Sequence, residues 1–447
     1  MSSGKQGRPP LRLLLTHRKY LQWSAAVQLM RMPSIMTSFS FVLVGGNKVG
    51  GLMITAYILC STFFAIPGGR LIDRMGIKKG APLFLLLAAA VLSGIAIAAA
   101  IEGEGAHGLF IPLAGLTGAL LGGIPGGMRS LLSRTVPPQL LPSAIAFDAT
   151  VIELVVVSAP LIAAAAAMFW VPGAVLAMSA AAAIASFLTW RLAALGEPEG
   201  RISAAGSLDS QSSADGKPQS PWSDQSGDQA DEQGSGPHAK KKPASTGAFW
   251  WLQRRFVFWI LLSIAFGHAL GTAEVGALPI VQQSGGSSGA AAALIAVLAV
   301  SSAASGLAYA FFSHHIRLSE KLQACLLLFC TALGCFLFAL STHWVTLALS
   351  MIVIGVCTAP LMTVRSLAAE KEMPDERKAE GFSIMNVSHT IGFALGGFFL
   401  SILPLPWMVA AGGLSGLLVL LSALFLLPRP SGRQEPSRSE ASYSEVP

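Results

Sequence analysis

The chain has 447 residues, of which 53% are hydrophobic and only 12% charged, about half the charge of an ordinary soluble domain. That excludes a soluble multidomain enzyme and, for most of the length, a disordered chain, whose mark is low hydrophobicity. The formal net charge of +7 comes without a soluble basic domain, so a nucleic-acid partner is a poor reading and placement relative to a lipid bilayer is a better one.

A helix that crosses a bilayer needs about 20 predominantly apolar residues. In chain order, such runs fall at 20–44, 51–69, 81–101, 109–128, 145–168 and 170–190, then at 256–281, 288–312, 322–341, 344–364, 382–404 and 406–427. A barrel would show short alternating segments instead, which leaves an all-α integral membrane protein of twelve transmembrane helices. Residues 1–19 form a basic, polar tail without a signal-peptide pattern. Residues 195–249, rich in Ser, Gly, Gln, Asp and Lys, read as a flexible linker between a first bundle, 20–194, and a second, 250–428; residues 429–447 are a polar tail.

With the N-terminus in the cytoplasm, 28 of the 30 Lys and Arg residues fall on the inner side, Lys48 lies outside and Arg31 lies inside span one. That asymmetry satisfies the positive-inside rule and puts both termini in the cytoplasm. The six-and-six division invites a search for a parallel repeat. A shift of 236 residues carries Arg129, Ser130, Leu131 and Pro138 onto Arg365, Ser366, Leu367 and Pro374, and carries spans one and two onto spans seven and eight. Two pseudo-symmetric six-helix bundles are expected.

Between spans two and three runs Gly69-Arg70-Leu71-Ile72-Asp73-Arg74-Met75-Gly76-Ile77-Lys78-Lys79. Its glycines permit a tight connection, and Asp73 sits between Arg70 and Arg74. This loop resembles the signature loop of the major facilitator superfamily, departing from it at Ile72 and Ile77. The resemblance implies a conformational latch built from Gly69, Asp73, Arg74, Gly76 and Lys78, with Asp73 approaching the start of span eleven near Ala379 to Phe382, where a helix N-terminus favours an anion. A solvated basic loop is the plainer alternative. The shifted counterpart, Gly306 to His315, lacks the acidic and arginine positions, so any latch is asymmetric.

Span five carries Ser158-Ala159-Pro160 followed by alanines, similar to a weakened form of the superfamily's antiporter motif; close helix packing around Pro160 explains the same residues. Gly118, Gly122 and Gly126 in span four, and Gly392 and Gly396 in span eleven, are spaced by four and read as packing seams.

Ionisable groups within spans are few, and each is costly unless paired or hydrated. Arg31 falls about 16 Å along span one at 1.5 Å per residue, and Glu153 falls at mid-depth of span five. Asp148, one turn inside the inner end, is expected to snorkel to water. Glu274, His268 and His389 complete the set of proton-coupling or cavity candidates. Spans three, six, nine and twelve contain no Asp, Glu, Lys or Arg, which agrees with the peripheral place the resemblance gives them. Two roles are open for Glu153: a proton-coupling carboxylate tuned by Arg31 or His389, or a static pair with Arg31. Glu274 shares these and adds recognition of a substrate ammonium, while the histidines suit interhelical hydrogen bonding as well as proton relay. Arg129 and Arg365, just past spans four and ten, are inner-gate candidates or bond their helix C-termini.

The five cysteines lie in apolar runs and three are spaced by five, about 140° apart on a helix, so no metal site is expected. With no phosphate-binding Gly-Lys-Ser/Thr loop, the chain reads as a non-enzyme without cofactors. The resemblance implies a monomeric secondary transporter in a cell membrane, of bacterial inner-membrane type, moving a small solute by proton-coupled efflux of a drug-like or sugar-like compound. Uptake or facilitated diffusion is the alternative within that fold, and a non-transporting sensor or scaffold is the alternative outside it.

Overall fold

Lipid offers no partner to a backbone amide, so every crossing segment must close its own hydrogen bonds as a helix. The computed structural model describes residues 16–101, 105, 107–137, 140–194, 250–374 and 377–426. The expected linker and both polar tails lie outside the described residues. Among those described, the secondary structure is helical: α1 (Arg18–Phe63), α2 (Ala65–Met75), α3 (Ile77–Ile101), α4 (His107–Gly122), α5 (Ile124–Thr135), α6 (Leu141–Phe169), α7 (Gly173–Ala194), α8 (Arg254–Gln283), α9 (Ser288–Phe312), α10 (Glu320–Leu340), α11 (Trp344–Glu370), α12 (Lys378–Ile402) and α13 (Leu405–Leu426).

Ten helical stretches are individually long and apolar enough to cross a bilayer. The 46-residue α1 is about 69 Å long at 1.5 Å per residue, more than two hydrocarbon thicknesses. It doubles back at Gly46, whose φ of 62° and ψ of −170° are open to glycine and strained for other residues. Spans one and two are therefore the two arms of α1. The 29-residue α6, apolar from Leu154 to Phe169, supplies span five and brings the total to the expected twelve. The loop after span two turns at Gly76, again at positive φ (78°).

The same packing pattern appears in each bundle. In the first, α7 lies on α1 and α3; in the second, α13 lies on α8 and α10. The α3–α7 contact is tied by Ser93 and Ser179, whose hydroxyls are 2.8 Å apart, and by Ser186 donating to the Pro82 carbonyl at 2.7 Å. The outer surfaces of α3, α7, α10 and α13 carry exposed rows such as Leu86, Leu87 and Ile97, or Leu414, Leu418 and Leu421. Rows of this kind on a helical bundle match a lipid environment and give spans three, six, nine and twelve the peripheral position expected of them.

Small residues set how closely the inner helices approach. A Cβ on Gly118 would collide with the Tyr57 carbonyl, one on Gly122 with that of Ser61, and one on Gly392 with that of Ile264. On Gly396 it would sit 2.6 Å from the Gly271 carbonyl carbon. Gly126 corrects the expected seam, because a Cβ there meets nothing within 4 Å. The helix breaks at Gly123, between α4 and α5, and the spacing of four is lost. Gly123 itself makes the close approach, against Gly68 and the Gly69 amide.

The core is divided unequally. One apolar cluster includes the first bundle and continues into the second through Leu278, Val281, Leu294, Leu298, Ile354 and Leu400. At this end Gly51 of α1 meets the Gly397 carbonyl of α12, and the Thr55 hydroxyl donates to its own Gly51 carbonyl (2.9 Å) and to that of Ala394 (3.2 Å). A second cluster, with Phe256, Trp259, Phe266, Val364, Met373 and Met385, lies within the second bundle alone. It occupies the opposite end, the basic face on which Arg70, Arg74, Lys79, Arg254, Arg317 and Lys371 are found. The bundles are thus sealed together at one face and carry separate cores at the basic face.

Gly118→Ala is expected to lower stability by about 1–3 kcal/mol through overpacking, whereas Gly126→Ala, a helix position with open space, leaves it unchanged or raises it. Thermal unfolding of the two variants in detergent checks the contrast.

Candidate functional site

Three helices build a charged wall in the first bundle. The Trp23 indole donates to the Met128 carbonyl at 2.8 Å and the Tyr20 hydroxyl to that of Ala144 at 3.1 Å, fixing α1 against α5 and α6. On this frame Arg31 donates from Nη1 and Nη2 to the two carboxylate oxygens of Asp148, each at 2.9 Å. Gln28, buried one turn below Arg31, donates to the same carboxylate at 2.7 Å and accepts from Arg31 at 3.3 Å. A two-pronged pairing of this sort is the strongest geometry open to a carboxylate and a guanidinium. It faces a cavity of about 240 Å³ lined also by Val27, Met30, Gly126, Arg129 and Leu132.

One expectation is corrected here, and one falls on a side chain that is not described. Asp148 is not a solvated end residue but the partner of Arg31, and the side chain of Glu153 lies outside the described residues. Helical side chains lean toward the helix N-terminus. Because α1 starts at the basic face, the long Arg31 side chain reaches down to the level of Asp148. Gln28 was missed by the sequence reading, although its i, i+3 relation to Arg31 places both on one face. Arg129, past the end of α4, lies in α5 and is exposed on the cavity wall.

In the second bundle the candidates separate. His268 is 3% exposed, its Nδ1 is 3.2 Å from the Ser415 hydroxyl on peripheral α13, and its ring lies 5.1 Å from that of Phe399. It joins helices, and the expected cavity position is corrected: His268 lies one residue past the Gly267 that meets α12, on the side of α8 turned to α13. Glu274 differs. It stands about 160° around α8 from Gly276, which packs on Phe338 and Met408. Its carboxylate has no hydrogen bond or ion pair among the described residues and is partly accessible. His389 packs its backbone against Gly267 and its ring 5.1 Å from Phe266.

Arg365 was placed just past its span; it lies inside α11, 5% exposed, with Nε and Nη1 unpartnered. In the loop after span two, Asp73 and Arg74 are exposed, and the Asp73 carboxylate forms no ion pair or hydrogen bond among the described residues. Gly69 and Gly76 serve the close approach to Gly123 and the turn, respectively. The side chain of Ala379 is outside the described residues. No group of three or more potential metal ligands occurs among the described residues, and the five cysteines are free thiols.

The family model described as Major Facilitator Superfamily matches residues 20–322 and 276–446. The chain belongs to the Major Facilitator Superfamily. Solved structures agree at the level of fold. A bacterial homologue of the iron transporter ferroportin in an inward-facing state aligns with a TM-score of 0.65 at 13% identity, over 92% of this chain and 99% of that one. The POT family transporter PepTSo aligns with a TM-score of 0.64 at 12% identity, over 92% and 97%. A D-xylose–proton symporter aligns with a TM-score of 0.57 at 13% identity, over 94% and 100%. No curated protein sequence matches the chain.

Asp148→Ala, which leaves Arg31 unpaired in a site where the two side chains are 28% and 15% exposed, is expected to cost about 2 kcal/mol, below the range for fully buried pairs because of that exposure. The double variant Arg31→Met with Asp148→Leu should recover most of the loss, which a double-mutant cycle in thermal or chemical denaturation would read directly.

Proposed function

We propose that the protein is a secondary transporter that moves a small solute by alternating access, coupled to protons and running as efflux, with the basic face in the cytoplasm. One observation carries this reading: the bundles share a continuous core at one face and hold separate cores at the other. A bundle pair sealed at one end only has a second arrangement available to it, sealed at the other end, and exchange between the two carries a bound solute across. On this orientation the present form is open to the cytoplasm. The lack of a partner for the Asp73 carboxylate among the described residues fits that form, since a latch between the loop and the start of α12 closes only when the basic face closes.

Proton coupling is assigned to Glu274. An unpaired carboxylate inside a membrane bundle has the chemistry to load and release a proton as its surroundings alternate between dry and wet. Arg31 and Asp148, already satisfied by one another and by Gln28, hold the first bundle's wall in shape. The direction rests on the likeness of Ser158-Ala159-Pro160 to an antiporter motif, and the basic face on the positive-inside distribution of Lys and Arg.

In liposomes loaded with candidate solutes, an imposed pH gradient should drive flux by the native protein. Glu274→Gln should reduce gradient-driven flux at least tenfold while solute exchange at equal pH persists; gradient-driven flux at the native rate in this variant would remove Glu274 from the coupling role. Asp73→Asn should favour the form open at the basic face, seen as a shorter-lived closed population in spin-label distance measurements across that face and a slower turnover with unaltered solute affinity.

A further inference from the structure

Among the described residues near the basic face of the second bundle, Arg365 through Nε and Nη1, Trp259 through Nε1 and His389 through Nδ1 carry buried nitrogens without a hydrogen-bond partner. They stand on α8, α11 and α12, the helices that share one apolar cluster. Trp259 and Phe266 of α8, Val364 of α11 and Met385 of α12 belong to the same apolar cluster. Arg365 follows Val364, the His389 ring lies against Phe266, and the Ser263 hydroxyl joins the Trp259 carbonyl to the Met385 sulfur at 2.7 and 3.5 Å. Arg365 itself is 5% exposed and Trp259 fully buried. A buried guanidinium left unpaired is among the most costly features a fold can retain.

Among the described residues, the carboxylates of the same bundle do not relieve it. Glu372 is bound by Arg255 and Lys321, Glu320 by Lys371, Glu370 by Lys378 and Glu380 by Arg377. Glu274 stands 15 residues beyond Trp259 on α8, about 22 Å along the helix. The internal repeat sharpens the asymmetry. Shifted by 236 residues, Arg129 becomes Arg365, while Asp148 becomes Ile384 and Glu153 becomes His389. The second bundle keeps the cation and replaces the acids of the neighbouring helix by an alkyl group and an imidazole.

We propose that Arg365, flanked by Trp259 and His389, binds a singly charged oxyanion, a carboxylate or phosphate-type group, carried by the transported solute. The guanidinium fork matches such a group in charge and spacing, the indole N–H adds a neutral donor, and the imidazole supplies a third nitrogen. Arg365 lies five residues, or about 7.5 Å, from the end of α11, toward the face at which the bundles hold separate cores. This assignment rests on the transport reading and narrows its substrate to organic monoanions. An anionic lipid headgroup has the same chemistry and is separated from a solute by the test.

The test is binding by the full-length protein in neutral detergent, without a gradient, so that it is independent of flux. Benzoate and inorganic phosphate, each titrated into the millimolar range, should raise the unfolding temperature of the native protein, and neutral benzamide should not. Arg365→Met should lose the anion-dependent rise while melting no lower than the native protein, because it removes an unpaired charge; if that variant does not fold, Arg365→Lys should fold and need about tenfold more anion for the same rise. An absent rise in the native protein, or an equal rise in either variant, overturns the site. A rise given only by micelles doped with phosphatidylglycerol, and not by the soluble anions, overturns the solute assignment. Gradient-driven flux of neutral solutes together with an absent anion effect would retain the transport reading and discard this one.

Discussion

Gly51 of α1 and Gly397 of α12 meet backbone to backbone, and around that contact the apolar core passes from one bundle into the other. Lipid tails are as apolar as the side chains they would replace, so burial alone does not hold helices together in a membrane; close approach and interhelical hydrogen bonds must do so. The two glycines give that approach where the halves join. At the basic face the corresponding core belongs to the second bundle alone. The location of the joined core sets the face at which the two bundles are held together.

A symmetric frame here carries asymmetric chemistry. The first bundle encloses a complete polar network, with Arg31 held by both oxygens of Asp148 and steadied by Gln28. Among the described residues, the second encloses a cation, Arg365, without a counter-ion and a carboxylate, Glu274, without a cation. A bilayer tolerates buried charge when it is paired or put to use. Satisfied groups in one half and open valences in the other divide the molecule into a rigid wall and a reactive one.

Much of the fold was legible in the sequence because the bilayer imposes a length on each crossing helix and removes charge from the outer ones. The uncharged spans three, six, nine and twelve are the ones with lipid-facing rows, and the glycine pairs of span eleven mark a true seam. Gly126 shows where the reading fails: spacing along a sequence predicts a stripe only while the helix is continuous, and the break at Gly123 ends it. The partner of Arg31 was misjudged for a related reason. Depth was counted from Cα positions, whereas an arginine side chain spans more than a helical turn and leans toward the start of its helix. The isolation of Arg365 could not be read from sequence at all, because it depends on which side chains meet across helices, as when Arg255 and Lys321 take Glu372.

The Thr55 hydroxyl makes two bonds at the sealed face, one to a carbonyl of its own helix and one across the gap to Ala394. If the bundles part there, the bond to Gly51 remains, and the Ala394 carbonyl keeps its place in its own helical ladder. No donor is stranded in lipid on either side. The joint therefore behaves as a press-stud: it adds order when closed and leaves no torn polar edge when it opens, so the barrier to separation is set by glycine contact and apolar packing rather than by the breaking of a unique hydrogen bond.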